Sequence, residues 1–159
     1  MKLAPSPAAG RASLVRTGAA LVCALPWLRS LAGTHAPEWA RRLVDEAFLP
    51  LCHHWPLRVL VLGGEAMCVC SRCAGLYGGL AVGFAFGKLA PLEPRTLRLL
   101  FGIGLASMLL DVVTQDAGLH APSHLVRLST GAFLGWVVAT WMVQATSRPR
   151  RSPAMPQRG

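Results

Sequence analysis

Acidic side chains are scarce in this 159-residue chain: 7 Asp and Glu stand against 16 Lys and Arg, and charged residues of both signs make up only 14%. So little charge excludes an ordinary soluble domain, in which about a quarter of the residues are charged. The net charge of +9 brings no basic helix and no nucleic-acid reading motif with it, and the cations form no continuous face. Nucleic acid is therefore not expected as a partner. No A-x-A site follows the first apolar run, which favours an uncleaved first helix over a signal peptide.

What is abundant is apolar: 53% of the residues, with a mean hydropathy of +0.44. The expectation is an all-α fold, a polytopic helical membrane bundle of four transmembrane helices, or three if the first run does not cross. An amphipathic interfacial helix accompanies them. By length the chain is one domain. Residues 1–16, basic and Pro/Ala-rich, read as a disordered leader. Residues 17–145 form the membrane domain and residues 146–159 a basic disordered tail.

Thr17 to Leu28 is apolar between Arg16 and Arg29. It is short of the ~20 residues a span needs, but the arginines can snorkel, so a span over 13–33 is open. Pro37 to Leu51 places Trp39, Leu43, Val44, Ala47, Phe48 and Leu51 at helical spacing between charges, which suits a helix on the membrane surface. Trp55-Pro56 should break that helix, and Gly63-Gly64 marks a turn between two short apolar pieces. The remaining spans are expected over 73–92, 97–115 and 125–143. The first of these carries Gly75, Gly79, Gly83 and Gly87, and the last carries Gly131, Gly135 and Ala139. Such small-residue stripes let helix backbones approach closely in lipid and could support a homo-oligomer.

Lys and Arg cluster in the leader, in the link around Pro91 and Pro94, and in the tail. Four spans would put all three on the cytoplasmic side of a cell membrane, taken to be a bacterial inner membrane, with the cysteine-rich loop outside. Arg41, Arg42, Arg58 and Arg72 in that loop run against the rule.

The chemistry is concentrated between Cys52 and Cys73, which holds four of the five cysteines. Cys70-Ser71-Arg72-Cys73 is a C-x-x-C, a spacing that lets two thiolates reach one metal ion or close as a disulfide. Cys52 and His53 would complete a Cys3His set, Cys52/His53/Cys70/Cys73. Cys68 is a bystander or spare ligand, and Cys23 reads as a small core residue. The expected topology brings Asp111 and Gln115, late in the third span, and His124 and Arg127, early in the fourth, to the same end of the bundle. An ionisable group in an apolar run is expensive unless paired, and Arg127 is the candidate partner of Asp111. Ser107, Asp111 and Gln115 share one face. Asp111, Gln115 and Arg127 are the candidates for any catalytic role.

Those residues carry a resemblance to the family of small predicted membrane proteins catalogued as domain of unknown function 2085. Its marks are a Cys-His pair followed by an arginine and a serine, then C-x-R-C-x-G-x-Y-x-G, then an aspartate-glycine with a later glutamine, and R-x-x-T-G. Cys52, His53 and Arg58 match the first mark, with Val59 for the serine. Cys70, Arg72, Cys73, Gly75, Tyr77 and Gly79 match the second in full. Asp111 and Gln115 match the third, with Val112 for the glycine, and Arg127, Thr130 and Gly131 match the fourth. The resemblance covers residues 43–136. It implies a membrane protein with a Cys/His site and no assigned activity.

Three functions are consistent with these features. The leading one is a metal site, zinc before iron-sulfur, backed by Asp111, Gln115 and Arg127. The second is a thiol-disulfide oxidoreductase that passes electrons from the C-x-x-C to a quinone, with Arg72 lowering a thiol pKa. The third is a packing or assembly subunit without site chemistry.

Overall fold

The computed structural model describes residues 7–52, 58–89, 91–119, 121 and 123–147. Its order is α1 (Pro7–Ala32), a 3-10 turn at Gly33–His35, α2 (Glu38–Phe48), a second 3-10 turn at Leu49–Leu51, a hairpin of β1 (Val59–Leu62) and β2 (Glu65–Cys70), then α3 (Ser71–Phe86), α4 (Pro94–Asp116) and α5 (His124–Ser147). The expected all-α membrane bundle is present, with the hairpin as a small addition. Among the described residues, three helical stretches are long and apolar enough to cross a membrane: Gly10–His35, Pro94–Asp116 and His124–Ser147. The fourth bundle helix, α3, has 16 residues and a length of roughly 24 Å.

Helix α1 starts at Pro7, so most of the segment expected as a disordered leader is helical. It also runs through Pro26 without ending. Proline cannot donate the usual backbone bond, so the carbonyl of Val22 one turn earlier loses its helical donor; one turn later the Ser30 hydroxyl donates to the Pro26 carbonyl at 3.0 Å. Trp55-Pro56 and the tail beyond residue 147 lie outside the described residues.

The glycine stripes meet each other. On α3, a Cβ at Gly75 would collide with the Leu128 carbonyl, and one at Gly79 with the Ala132 carbonyl. On α5, a Cβ at Gly131 would strike the Arg72 carbonyl, and one at Gly135 the Leu76 carbonyl. The two helices thus pack backbone to backbone, the close approach that small residues permit in a membrane. Both stripes are thus used within one chain, α3 against α5.

Helix α1 packs antiparallel to α3, where Trp27 Nε1 donates to the Ala74 carbonyl at 2.9 Å. Helix α4 leans on α5 through Phe101 and Trp141, whose ring centroids are 5.9 Å apart edge to face. Exposed Leu99, Ile103, Leu110 and Val113 on α4 form the surface a bilayer would cover.

Gly63 and Gly64 have φ of 60° and 85°, the left-handed pair that a two-residue hairpin turn of the right twist needs. This short connection is why Leu62 pairs with Glu65 and the strand delivers Cys70 directly into α3. Met67, Cys68 and Val69 of β2 are all buried, in one cluster with Phe48, Cys52 and Ala74. Beside it, Arg29 bridges to Asp45 at 2.9 Å and Arg41 to Glu65 at 2.7 Å. These bonds hold α1, α2 and the hairpin as one cap on the cysteine end of the bundle.

Candidate metal centre

Cysteines 70 and 73 flank the start of α3, and the 3-10 turn at Leu49–Leu51 carries the chain to Cys52. The Sγ atoms of Cys52, Cys70 and Cys73 all lie within 4.8 Å of one another. Three thiolates on one zinc ion sit roughly 3.8 Å apart, so the three sulfurs need only a small contraction to share an ion. All three are free thiols. The donor set therefore fits a thiophilic metal: three soft ligands, partly buried, at the mouth of a helix.

Hydrogen bonds organise the set. The backbone N–H of Cys70 donates to Cys52 Sγ at 3.2 Å. The Cys73 thiol holds Cys70 down to about 5 against the opposing effect of burial, and the backbone amides of Cys73 and Arg72 and the Cys52 side chain act in the same sense. A thiolate at Cys70 is the form a metal or an electrophile requires. Burial pushes Cys52 up. Burial also raises Cys68 to about 11, assisted by the Asp45 carboxylate and opposed by Arg29. Cys68 packs in the hydrophobic cluster and is outside the sulfur triad. Cys23, half-buried on α1, also stands apart from it.

His53, the fourth ligand expected from the sequence, lies outside the described residues, as does His54.

A polar chain runs from the cysteine motif into the bundle. Arg72 Nη2, between the two motif cysteines, meets Asp111 Oδ2 at 2.5 Å. Gln115 Nε2 donates to the other Asp111 oxygen. Arg127 donates to Gln115 Oε1, through Nε at 2.7 Å and through Nη2. Asp111 and Arg127 are buried, at 5% and 3% exposure. This corrects the expected Asp111–Arg127 pair: Arg72 takes the carboxylate, and Gln115, one turn further along α4, carries the contact to Arg127. Ser107 shares their helix face but donates to its own Gly104 carbonyl at 2.9 Å and takes no part. Arg72 as the partner of Asp111 was not foreseen, although an arginine set between two cysteines at a helix start was a visible signal.

Residues 52–141 match the model of a family described as "Predicted membrane protein (DUF2085)", a span that begins at Cys52 and includes every member of the sulfur triad and the polar chain. An uncharacterised protein of Methanocaldococcus jannaschii is 33% identical over 98 residues, 58% of this chain and 62% of that protein. An uncharacterised protein of Methanothermobacter thermautotrophicus is 32% identical over 101 residues, 62% of this chain and 91% of its own length. The matched region thus spans less than two thirds of the first relative and nearly all of the second. Both relatives are archaeal and lend no support to the expected bacterial membrane. No solved structure matches the chain.

Proposed function

This chain belongs to the DUF2085 family of predicted membrane proteins, and we propose that it is an integral membrane protein whose cysteine end holds a zinc ion on Cys52, Cys70 and Cys73. The observation that carries this reading is the convergence of three free sulfurs within 4.8 Å from segments on either side of a hairpin. His53, next in sequence to Cys52, is offered for the fourth position. With all four ligands the ion is a structural clamp that ties the loop before the hairpin to the head of α3. If one of the four is not a ligand, the coordination position left open can polarise a bound water or carbonyl. Asp111, Gln115 and Arg127 act behind Arg72 as positioning residues.

The basic leader, the 88–98 link and the tail are proposed to face the cytoplasm, with the cysteine end outside.

The test is metal content and free-thiol count on detergent-purified protein made without chelator, beside Cys70→Ser. About one zinc per chain, absent from the variant, is the expected result. A metal-free protein with Cys70 and Cys73 joined as a disulfide would overturn it. That outcome would favour the second reading, a thiol-disulfide oxidoreductase with a quinone as acceptor, for which the cluster supplies an exchange pair and a third thiol, Cys52, beside it.

A further inference from the structure

The opposite end of the bundle carries a second site, independent of the cysteines. Helix α1 runs antiparallel to α3 and α3 runs parallel to α5, so the start of α1 and the ends of α3 and α5 come together far from Cys70. Between them opens a cleft of about 290 Å³. Val15, Phe84 and Met142 contribute apolar walls, and Arg11, Arg16 and Lys88 stand around it. Among the described residues, no acidic side chain lines this cleft. Lys88 also borders a neighbouring cleft that contains Glu93, but Arg11, Arg16 and Lys88 form no ion pair among the described residues. Arg16 Nη1 is buried and without a hydrogen-bond partner among them. A buried guanidinium nitrogen left unsatisfied is costly, and an anionic oxygen is the partner that relieves it.

We propose that this cleft binds an anionic glycerophospholipid, with the phosphate between Arg11, Arg16 and Lys88 and an acyl chain along Val15, Phe84 and Met142. The combination selects the occupant. Three cations without a carboxylate favour a negative headgroup, and basic pockets between membrane helices are established sites for such lipids. The apolar walls give a free phosphate nothing to gain, whereas an acyl chain already in the bilayer fits them. Each arginine also has an apolar stem long enough to lie along the wall while its head reaches the phosphate.

The experiment uses the full chain in neutral detergent micelles, with dioleoylphosphatidylglycerol or dioleoylphosphatidylcholine titrated in and bound lipid counted by native mass spectrometry. The anionic lipid should bind about tenfold more tightly than the zwitterionic one, a preference that falls as salt rises from about 0.05 to 0.5 M. The triple variant Arg11→Gln, Arg16→Gln, Lys88→Gln should reduce the preference to within about twofold, whereas Arg95→Gln with Arg98→Gln, outside the cleft, should leave it intact. Equal binding of the two lipids by the unmodified protein overturns the proposal. So does a preference that persists in the triple variant, or one that the Arg95/Arg98 variant removes as completely. Displacement of the lipid by an equal concentration of inorganic phosphate would show a bare anion site and also overturn it. Should the triple variant not fold, the unmodified protein decides: a preference indifferent to salt refutes the charge contact.

Discussion

Arg72 and Asp111 meet at 2.5 Å across the gap between the first turn of α3 and the later part of α4. The arginine sits between two cysteines of the sulfur triad, so this ion pair joins the candidate metal centre to α4, which packs on α5. Asp111 is 3% exposed and Arg72 17% at the side chain, a degree of burial at which a charge without its partner is strongly destabilising.

Removing either partner should therefore cost more than removing both. Arg72→Ala is expected to lower unfolding stability by roughly 3 kcal/mol, and Arg72→Ala with Asp111→Ala by less than the sum of the single changes. A double-mutant cycle on detergent unfolding measures it. Strict additivity would mean that the pair is not coupled.

The α3–α5 contact should discriminate sharply between glycines. Gly79→Ala forces a Cβ into the Ala132 carbonyl, and a cost of about 2 kcal/mol or more is expected because backbone cannot move aside cheaply. Gly102→Ala meets nothing within 4 Å and should be neutral or stabilising by about 0.5–1 kcal/mol in a helix interior. Thermal unfolding of the two variants in one detergent tests the contrast.

Hairpin geometry should control metal retention. With φ of 60° at Gly63 and 85° at Gly64, Gly64→Ala is expected to cost about 1 kcal/mol while Gly63→Asn is tolerated, since asparagine adopts this conformation readily. Because β2 delivers Cys70 to Cys52, the alanine variant should also lose the proposed zinc faster to a competing chelator. Equal release from both variants would separate the hairpin from the site.

Trp27→Phe keeps an aromatic ring but removes the pyrrole half of the indole with its N–H, the donor to the Ala74 carbonyl. A loss of about 1 kcal/mol is expected, together with faster proteolysis of α1. A cost near zero would show that ring packing alone holds α1 to α3.

Thiol reactivity of metal-stripped protein should follow the two cysteine environments. Cys70, held down to about 5 by the Cys73 thiol, is a thiolate above that value, so its alkylation should stay fast at neutral pH and slow only as pH falls through about 5. Cys68, raised by burial to about 11, is a neutral thiol at pH 7 and should label only as pH approaches 11 or the protein unfolds. Peptide mapping after timed alkylation identifies the modified cysteine. Labelling of Cys68 before Cys70 would contradict both environments.

Low charge, long apolar runs and the spacing of Cys70 and Cys73 were enough to determine a membrane bundle with a cysteine site at one end, because hydropathy and C-x-x-C spacing are local properties. The glycine stripes were equally visible, but their partner was not. A stripe specifies how close a neighbour can come and leaves open which neighbour comes, and only the packing of α3 on α5 turned it inward. Pairing of Asp111 was decided in the same way. The composition of α4 required a cation nearby, and two arginines qualified; the entry of α3 from a hairpin, with Gly63 and Gly64 setting the register, placed Arg72 within reach and left Arg127 to Gln115. The cleft among Arg11, Arg16 and Lys88 belongs to this second class as well, since Lys88 is far along the chain from the two arginines and only the antiparallel packing of α1 on α3 brings them together.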